Sequence, residues 1–313
     1  MRKLIVTLLL SITGYSQTDT ISTAYYKEFQ DRLFLQFFVL NTSNDFTLDY
    51  TNDDIQVKLI PNRKTTMGIS FNYDFISFSF GVAPSFFANN KDNGNSKMIS
   101  FGVNLSPGQW MQHLDFYYQK GFTLESGSGG SVYLHELKSL KIGGSTSYFL
   151  NKNFSYAATA FQNKKQLKSA GSFAPSLLYY YTSLNGKKQE GLGSNAYFIN
   201  VAIAPSYYYN WVIAKNFLLS GGAALGAGLD YTDDDEKNTS FLTMASLHLA
   251  LGYNSDRFFC GINDRAFVFN HSVESAVSID DTISYFTIFA GYRFDPPELL
   301  EKKVKQIKDK IKL

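Results

Sequence analysis

Apolar and polar residues alternate with a period of two along most of this chain, the spacing of a β-strand with one face apolar. In Thr66 to Asn72 the apolar set is Met67, Ile69 and Phe71. In Phe75 to Val82 it is Ile76, Phe78, Phe80 and Val82, and further on Ile99, Phe101, Val103 and Leu105. Leu114, Phe116 and Tyr118 continue it after Trp110, and Tyr197 to Ile203, Phe217 to Leu229, Phe241 to Tyr253 and Ile283 to Phe294 repeat the pattern. Turn-forming clusters separate the runs: NNKDNGNS at 89, SPGQ at 106, ESGSGGS at 125, NKN at 151, LNGKKQEGLG at 184, TDDDEKN at 232 and NSDR at 254. The pattern predicts an all-β chain with no helical segment before its C-terminal tail.

The polar face decides what kind of sheet this is. A water-exposed sheet face is normally clothed in Lys, Glu and Arg. Here Thr66 to Asn72, Phe75 to Ala88, Ala196 to Ala214 and Asn216 to Leu229 carry Ser, Thr, Asn, Gly and Tyr instead, and the charges sit in the turns. A closed antiparallel transmembrane β-barrel needs this arrangement, because charge on its outer band is costly and an open edge in hydrocarbon leaves backbone groups unpaired. Spanning strands of about 9 to 11 residues give about 12 strands, range 10 to 14. The clusters Tyr179 to Tyr181 and Tyr207 to Tyr209 with Trp211 suit interfacial girdles. Strand directions conflict between Asn151 and Pro205, so one segment there does not span, and Pro175 and Pro205 are the expected disturbances. Arg32 to Leu40 and Ile55 to Ile60 read as strands of uncertain place. The face Leu218, Ser220, Gly222, Ala224, Gly226 and Gly228 is expected inside, leaving a filled lumen or a narrow channel.

The ends differ from the body. Residues 1–17 have Arg2 and Lys3, the apolar run Leu4 to Leu10 and the small residues Gly14 and Ser16, the features of a secretory signal. Residues 18–295 form the barrel, with Phe294 as an aromatic closing position before Pro296 and Pro297. Residues 296–313 place Leu300, Val304, Ile307 and Ile311 at helical spacing among six lysines, the pattern of a basic amphipathic helix that is either solvated, laid on the inner leaflet, or set against the mouth of the barrel. Lys+Arg 29 against Asp+Glu 27 leaves +2, too little field to gather nucleic acid. The single Cys260 excludes an internal disulfide and reads as a small packed side chain. These features place the chain in the cell outer membrane, with outer-membrane lipids and the barrel assembly machinery as its partners and no cofactor.

Four segments carry a resemblance: KLIPNRKTTMGISFNYDF from Lys58, HLDFYYQKGF from His113, FSYAATAFQNKKQLKSAGSF from Phe154 and LGYNSDRFFCG from Leu251. In that order the chain resembles an uncharacterised family of outer-membrane β-barrels defined as a domain of unknown function. The third segment is the most distinctive, a strand ending in Gln162 and continuing through Gln166, Lys168, Ser169 and Gly171. The resemblance implies a fold and a location, and no activity.

Motifs for chemistry are few. His135 and Glu136 lack the second histidine of a zinc helix, and Gly191 and Gly193 lack the strand and helix of a dinucleotide site. Asp233 to Glu236 lack the glycine of a calcium loop, so no metal site is expected. Alternation does put His113, Asp115, Tyr117 and Gln119 together on the lumen face. Such a row supports either acid and base work or a hydrogen-bonded lumen in which a Lys or Arg from another strand neutralises Asp115. His248 is expected alone on an inner face. Three functions remain open: a passive narrow pore or small-ligand or envelope-binding scaffold, a lipid-modifying barrel enzyme such as an acyl hydrolase, and a soluble periplasmic β-protein.

Overall fold

The computed structural model describes residues 25–29, 31–50, 55–62, 64–73, 76–88, 90, 96–127, 129–190, 195–233, 237–272 and 277–311. Its strands are β1 (Tyr26–Glu28), β2 (Leu33–Tyr50), β3 (Ile55–Pro61), β4 (Thr65–Tyr73), β5 (Ile76–Val82), β6 (Lys97–Leu105), β7 (Trp110–Ser126) and β8 (Ser131–Tyr148). They continue as β9 (Lys164–Gln166), β10 (Ala170–Asn185), β11 (Asn195–Ala214), β12 (Phe217–Asp233), β13 (Lys237–Asn254), β14 (Phe258–Ser272) and β15 (Val277–Phe294). Helix α1 (Glu298–Ile311) follows. The expected residues 1–17 lie outside the described residues.

All the long strands pair antiparallel with their neighbours, and β15 pairs with β2 from Phe294↔Leu33 to Val277↔Tyr50, which closes the sheet on itself. No strand edge is left for hydrocarbon to face. At the end that carries Leu33 and Phe294, the lower end, twelve described strands form the ring: β2, β4 to β8 and β10 to β15. At the upper end the short hairpin β5–β6 has stopped, and β3 pairs β2 on one side and β7 on the other. The ring there has ten strands among the described residues. β3 and β4 are thus successive halves of one descending strand along β2, broken near Asn62. Asn90 seals that break: its side chain accepts from the Lys64 and Thr65 amides at 3.0 and 2.9 Å and donates to the Thr65 carbonyl at 2.7 Å.

The period-two pattern becomes an inside and an outside. Outward, Ile203, Leu225 and Leu247 expose 66%, 71% and 64% of their surface in a broad apolar belt, which water would not tolerate over such an area. Aromatic rings line both edges of the belt. Around the lower rim Trp110 meets Tyr148 at 4.9 Å, Phe217 meets Tyr253 at 5.2 Å and Tyr292 meets Phe294 at 5.0 Å. On the upper rim Tyr197 lies between Tyr181 and Tyr231 at 5.9 and 6.2 Å. The tyrosine clusters divide by parity: Tyr181, Tyr207 and Tyr209 are exposed on the outside, while Tyr180 and Tyr208 point into the lumen.

Several expectations need correction. The segment from Phe154 to Gln162 is not a strand. It holds a single 3-10 turn, Tyr156–Ala160, and lies inside the lower mouth, so one helical turn does precede the tail. The stretch between Asn151 and Ser169 is the one that fails to span. Pro175 and Pro205 shift no register and sit opposite each other in a continuous β10–β11 ladder, but the ladders on their other sides are interrupted. The β10–β8 pairing ends at Ser176↔Ser147, and the β11–β12 pairing skips Ala204 and Pro205, as expected where proline has no amide to donate. Arg32 to Leu40 and Ile55 to Ile60 both belong to the barrel, in β2 and β3. Cys260 is half-buried on the outward face of β14 rather than packed in a core. Residues 234–236 of the acidic turn lie outside the described residues, and no metal-binding cluster occurs among the described ones.

Candidate functional site in the lumen

The lumen is filled at three levels, each built from side chains that alternation turns inward. The lowest is a plug, residues 151–169. Gln162 donates to Gln36 Oε1 at 2.9 Å and accepts from Asn72 at 3.4 Å, both from the wall. Gln166 works as a hub: its oxygen accepts from the Ser155 amide and from Asn210, each at 3.1 Å, and its amide donates to the Asn153 carbonyl at 2.8 Å. The N-terminal strand β1 pairs with β9 of the plug, and Lys168 lies 5.3 Å from the Tyr25 ring centre. Ser169 accepts from the Val212 amide at 3.0 Å, and the Gly171 carbonyl accepts from Asn151 at 2.7 Å. The five residues that carry the family resemblance are therefore the plug and its attachments.

Arg293, on the last strand, fastens the plug to the wall. Its Nη2 donates to the Phe161 and Gln162 carbonyls at 2.6 Å each and to Asn254 Oδ1 at 2.7 Å, and its Nε donates to the Gln162 carbonyl at 2.9 Å. The side chain is fully buried between the rings of Phe29, Phe34 and Phe259, whose centres lie 4.0, 5.2 and 4.8 Å away. A guanidinium enclosed by rings is stabilised by cation–π attraction and by filling its donors with carbonyl oxygens. Phe161 adopts φ 60°, a left-handed backbone that a bulky residue rarely takes, and it is fully buried with its carbonyl held by Arg293. Its ring lies so close to Gly252 that a Cβ there would meet it at 2.8 Å. Gly252 is the recess that receives the plug.

The middle level contains the predicted row. His113 Nε2 lies 2.8 Å from Asp115 Oδ2, Tyr117 donates to Asp115 Oδ1 at 3.2 Å, and Gln119 is buried on the same face. The other ring nitrogen of His113, Nδ1, meets Asn104 Oδ1 from β6. Across the lumen the Tyr285 ring of β15 meets that of Tyr117 at 5.8 Å, tilted by 43°, and Arg265 of β14 lies 5.1 Å from the Tyr285 ring centre. Both imidazole nitrogens are thus engaged, and none is left to deprotonate a serine. His113, Ser145, Ser147, Ser176, Tyr156 and Arg265 line a cavity of about 50 Å³. That is room for a few water molecules, each needing about 10–15 Å³ by this measure, and not for an acyl chain.

The upper level is an ion pair. Lys141 Nζ of β8 meets Asp281 Oδ2 of β15 at 2.8 Å, and both are buried. Asn44 of β2 donates to the other oxygen of Asp281, and the ammonium lies 5.2 and 5.5 Å from the Tyr180 and Phe269 ring centres. His248 is buried as expected, beside Tyr156 and Tyr208 at 5.6 and 6.1 Å, and neither ring nitrogen has a hydrogen-bond partner among the described residues. Sequence reasoning missed Arg293, Arg265, Lys141 and Asp281. The available signal was a charged residue inside a strand, placed by parity on the inner face.

Fold and site together define a class: a closed antiparallel β-barrel with an apolar belt, aromatic girdles and a plugged polar lumen. A family described as "Domain of unknown function (DUF4421)" matches residues 17–294, and the chain belongs to that family. No curated protein matches the sequence. Among solved structures, the outer membrane protease OmpT of Escherichia coli is similar at 9% identity and a TM-score of 0.41, over 86% of this chain and 98% of that one. The COG4313 outer membrane channel of Pseudomonas putida F1 is similar at 8% identity and a TM-score of 0.37, over 86% and 98% of the two chains. The outer membrane protein OprG of Pseudomonas aeruginosa follows at 12% identity and a TM-score of 0.27, over 85% and 98%.

Proposed function

We propose that the protein resides in the outer membrane as a sealed barrel, an envelope scaffold that conducts no steady current at rest. The observation that carries this reading is the Lys141–Asp281 pair, which joins β8 to β15 through the middle of the lumen above a plug fastened by Arg293. The belt between two aromatic rims supports lipid as the surrounding medium. Outer-membrane lipids and the barrel assembly machinery are then its partners during insertion, and Phe294 stands at the last outward position of the closing strand.

Purified full-length protein in planar lipid bilayers tests the reading. The expected result is a membrane with no steady conductance, and a large, steady porin-like current overturns it. Fractionation tests the location: the mature chain requires detergent for release and migrates differently on gels when unheated. Release by high salt alone contradicts it. The acyl hydrolase reading lacks a free base at His113, so labelled phospholipid is expected to survive incubation with the protein.

A further inference from the structure

The outward face of β14 breaks the rule that the rest of the belt obeys. Phe258, Cys260, Ile262, Asp264, Ala266 and Val268 point outward in turn, and Asp264 is exposed midway between the Phe258 rim and Val268. Its paired neighbours are Leu249 of β13 and Phe286 of β15, themselves 56% and 42% exposed. No hydrogen bond or ion pair reaches its carboxyl group from the described residues. Arg265, next in sequence, points the opposite way into the lumen and cannot neutralise it. Ionisable side chains facing hydrocarbon are rare and usually meet a partner.

Which partner fits follows from geometry and chemistry. Two copies of a membrane protein share one orientation, so a two-fold axis between them runs along the membrane normal and brings residues of equal height face to face. A carboxyl group in its acid form offers one O–H donor and acceptor oxygens, so it is complementary to itself. A second copy supplies the missing partner without any cation. The surrounding wall alternates bulky Leu247, Leu249 and Ile288 with small Ala245, Ala266 and Ala290, a relief that two copies can interdigitate.

We propose that the β13–β14–β15 wall is the contact surface between two copies of this chain in the membrane, with Asp264 hydrogen-bonded to the partner subunit's Asp264. The proposal rests on the membrane reading above. It is tested on the full chain reconstituted in phosphatidylcholine and phosphatidylglycerol bilayers at low protein density. In a Cys260→Ala background, Asp264→Cys should form a disulfide-linked dimer on mild oxidation, whereas Ile142→Cys on the outward face of β8 should not. By single-molecule photobleaching the wild type and Asp264→Asn, whose amide is also complementary to itself, should be dimers, and Asp264→Leu should lose most of its two-step traces. An inserted, heat-modifiable wild type that is monomeric overturns the interface while leaving the membrane reading in place. So does an Asp264→Leu variant that dimerises like the wild type. A chain that stays soluble overturns the membrane reading and the interface with it.

Discussion

Lys141 and Asp281 come from opposite sides of the barrel, 140 positions apart in sequence, and meet at 2.8 Å in its interior. Both are buried, so the pair is held by each other, by Asn44 and by two aromatic rings rather than by water. Such a pair closes the lumen at this level, and removing one member within the dry interior leaves the other charge uncompensated.

Removing one member is therefore expected to be worse than removing both. Lys141→Met leaves Asp281 buried without its cation and should lower unfolding stability by about 3–5 kcal/mol. Lys141→Met with Asp281→Leu should recover most of that loss. Urea titration of the barrel in lipid vesicles, followed by tryptophan fluorescence, measures both.

Arg293→Met removes every side-chain bond that ties the plug to β15 while keeping a stem to pack against the three phenylalanines. The expected outcome is a folded barrel whose residues 151–169 become open to protease from the lower mouth, and which shows intermittent current in bilayers. Arg293→Lys keeps the charge but cannot span Phe161, Gln162 and Asn254 together, so it should fall between the two. An unchanged cleavage pattern in Arg293→Met removes the plug-anchor role.

Charge on the belt tests where the bilayer lies. Ile203→Lys, midway between Tyr197 and Trp211 on β11, should cost about 2–4 kcal/mol of folding stability in lipid. Thr239→Lys, beyond Phe241 on the outward face of β13, should change it little. Equal effects at the two positions would move the membrane band.

The plug's outer tie depends on pH. Lys27 donates to Asp256 at 2.9 Å, and this bond holds the Asp256 carboxyl below its ordinary value despite partial burial. A carboxyl depressed in the folded state stabilises fully above its unfolded value, about pH 4, and loses that contribution as pH falls through the folded value. Both groups are exposed, so the effect is under about 1 kcal/mol. Amide protection factors in β1, corrected for the intrinsic exchange rate at each pH, should fall below pH 4, and Asp256→Asn should show the lowered protection already at pH 7.

Truncation after Pro297 is expected to leave the barrel folded, inserted and heat-modifiable, because no strand of the ring pairs with α1. Loss of heat-modifiable migration in the truncated protein would make the helix part of the fold.

The sequence by itself determined the wall. Period two sorts each strand into two faces, and the scarcity of charge on the outer one chooses lipid over water. His113, Asp115, Tyr117 and Gln119 were legible as a lumen row for the same reason, since parity is local. Parity also hid Asp264 and Arg265, adjacent charges sent to opposite faces, one to the belt and one to the lumen. What only the tertiary structure decided is whatever depends on curvature and distance across the ring. Asn104 occupies the second nitrogen of His113 from a neighbouring strand. Lys141 reaches Asp281 because the sheet closes, and residues 151–169 fold inward because Arg293 and the recess at Gly252 wait at the lower mouth. A strand pattern encodes which way a side chain points, but not what stands opposite it, and the partners here are 9 to 140 residues away in sequence.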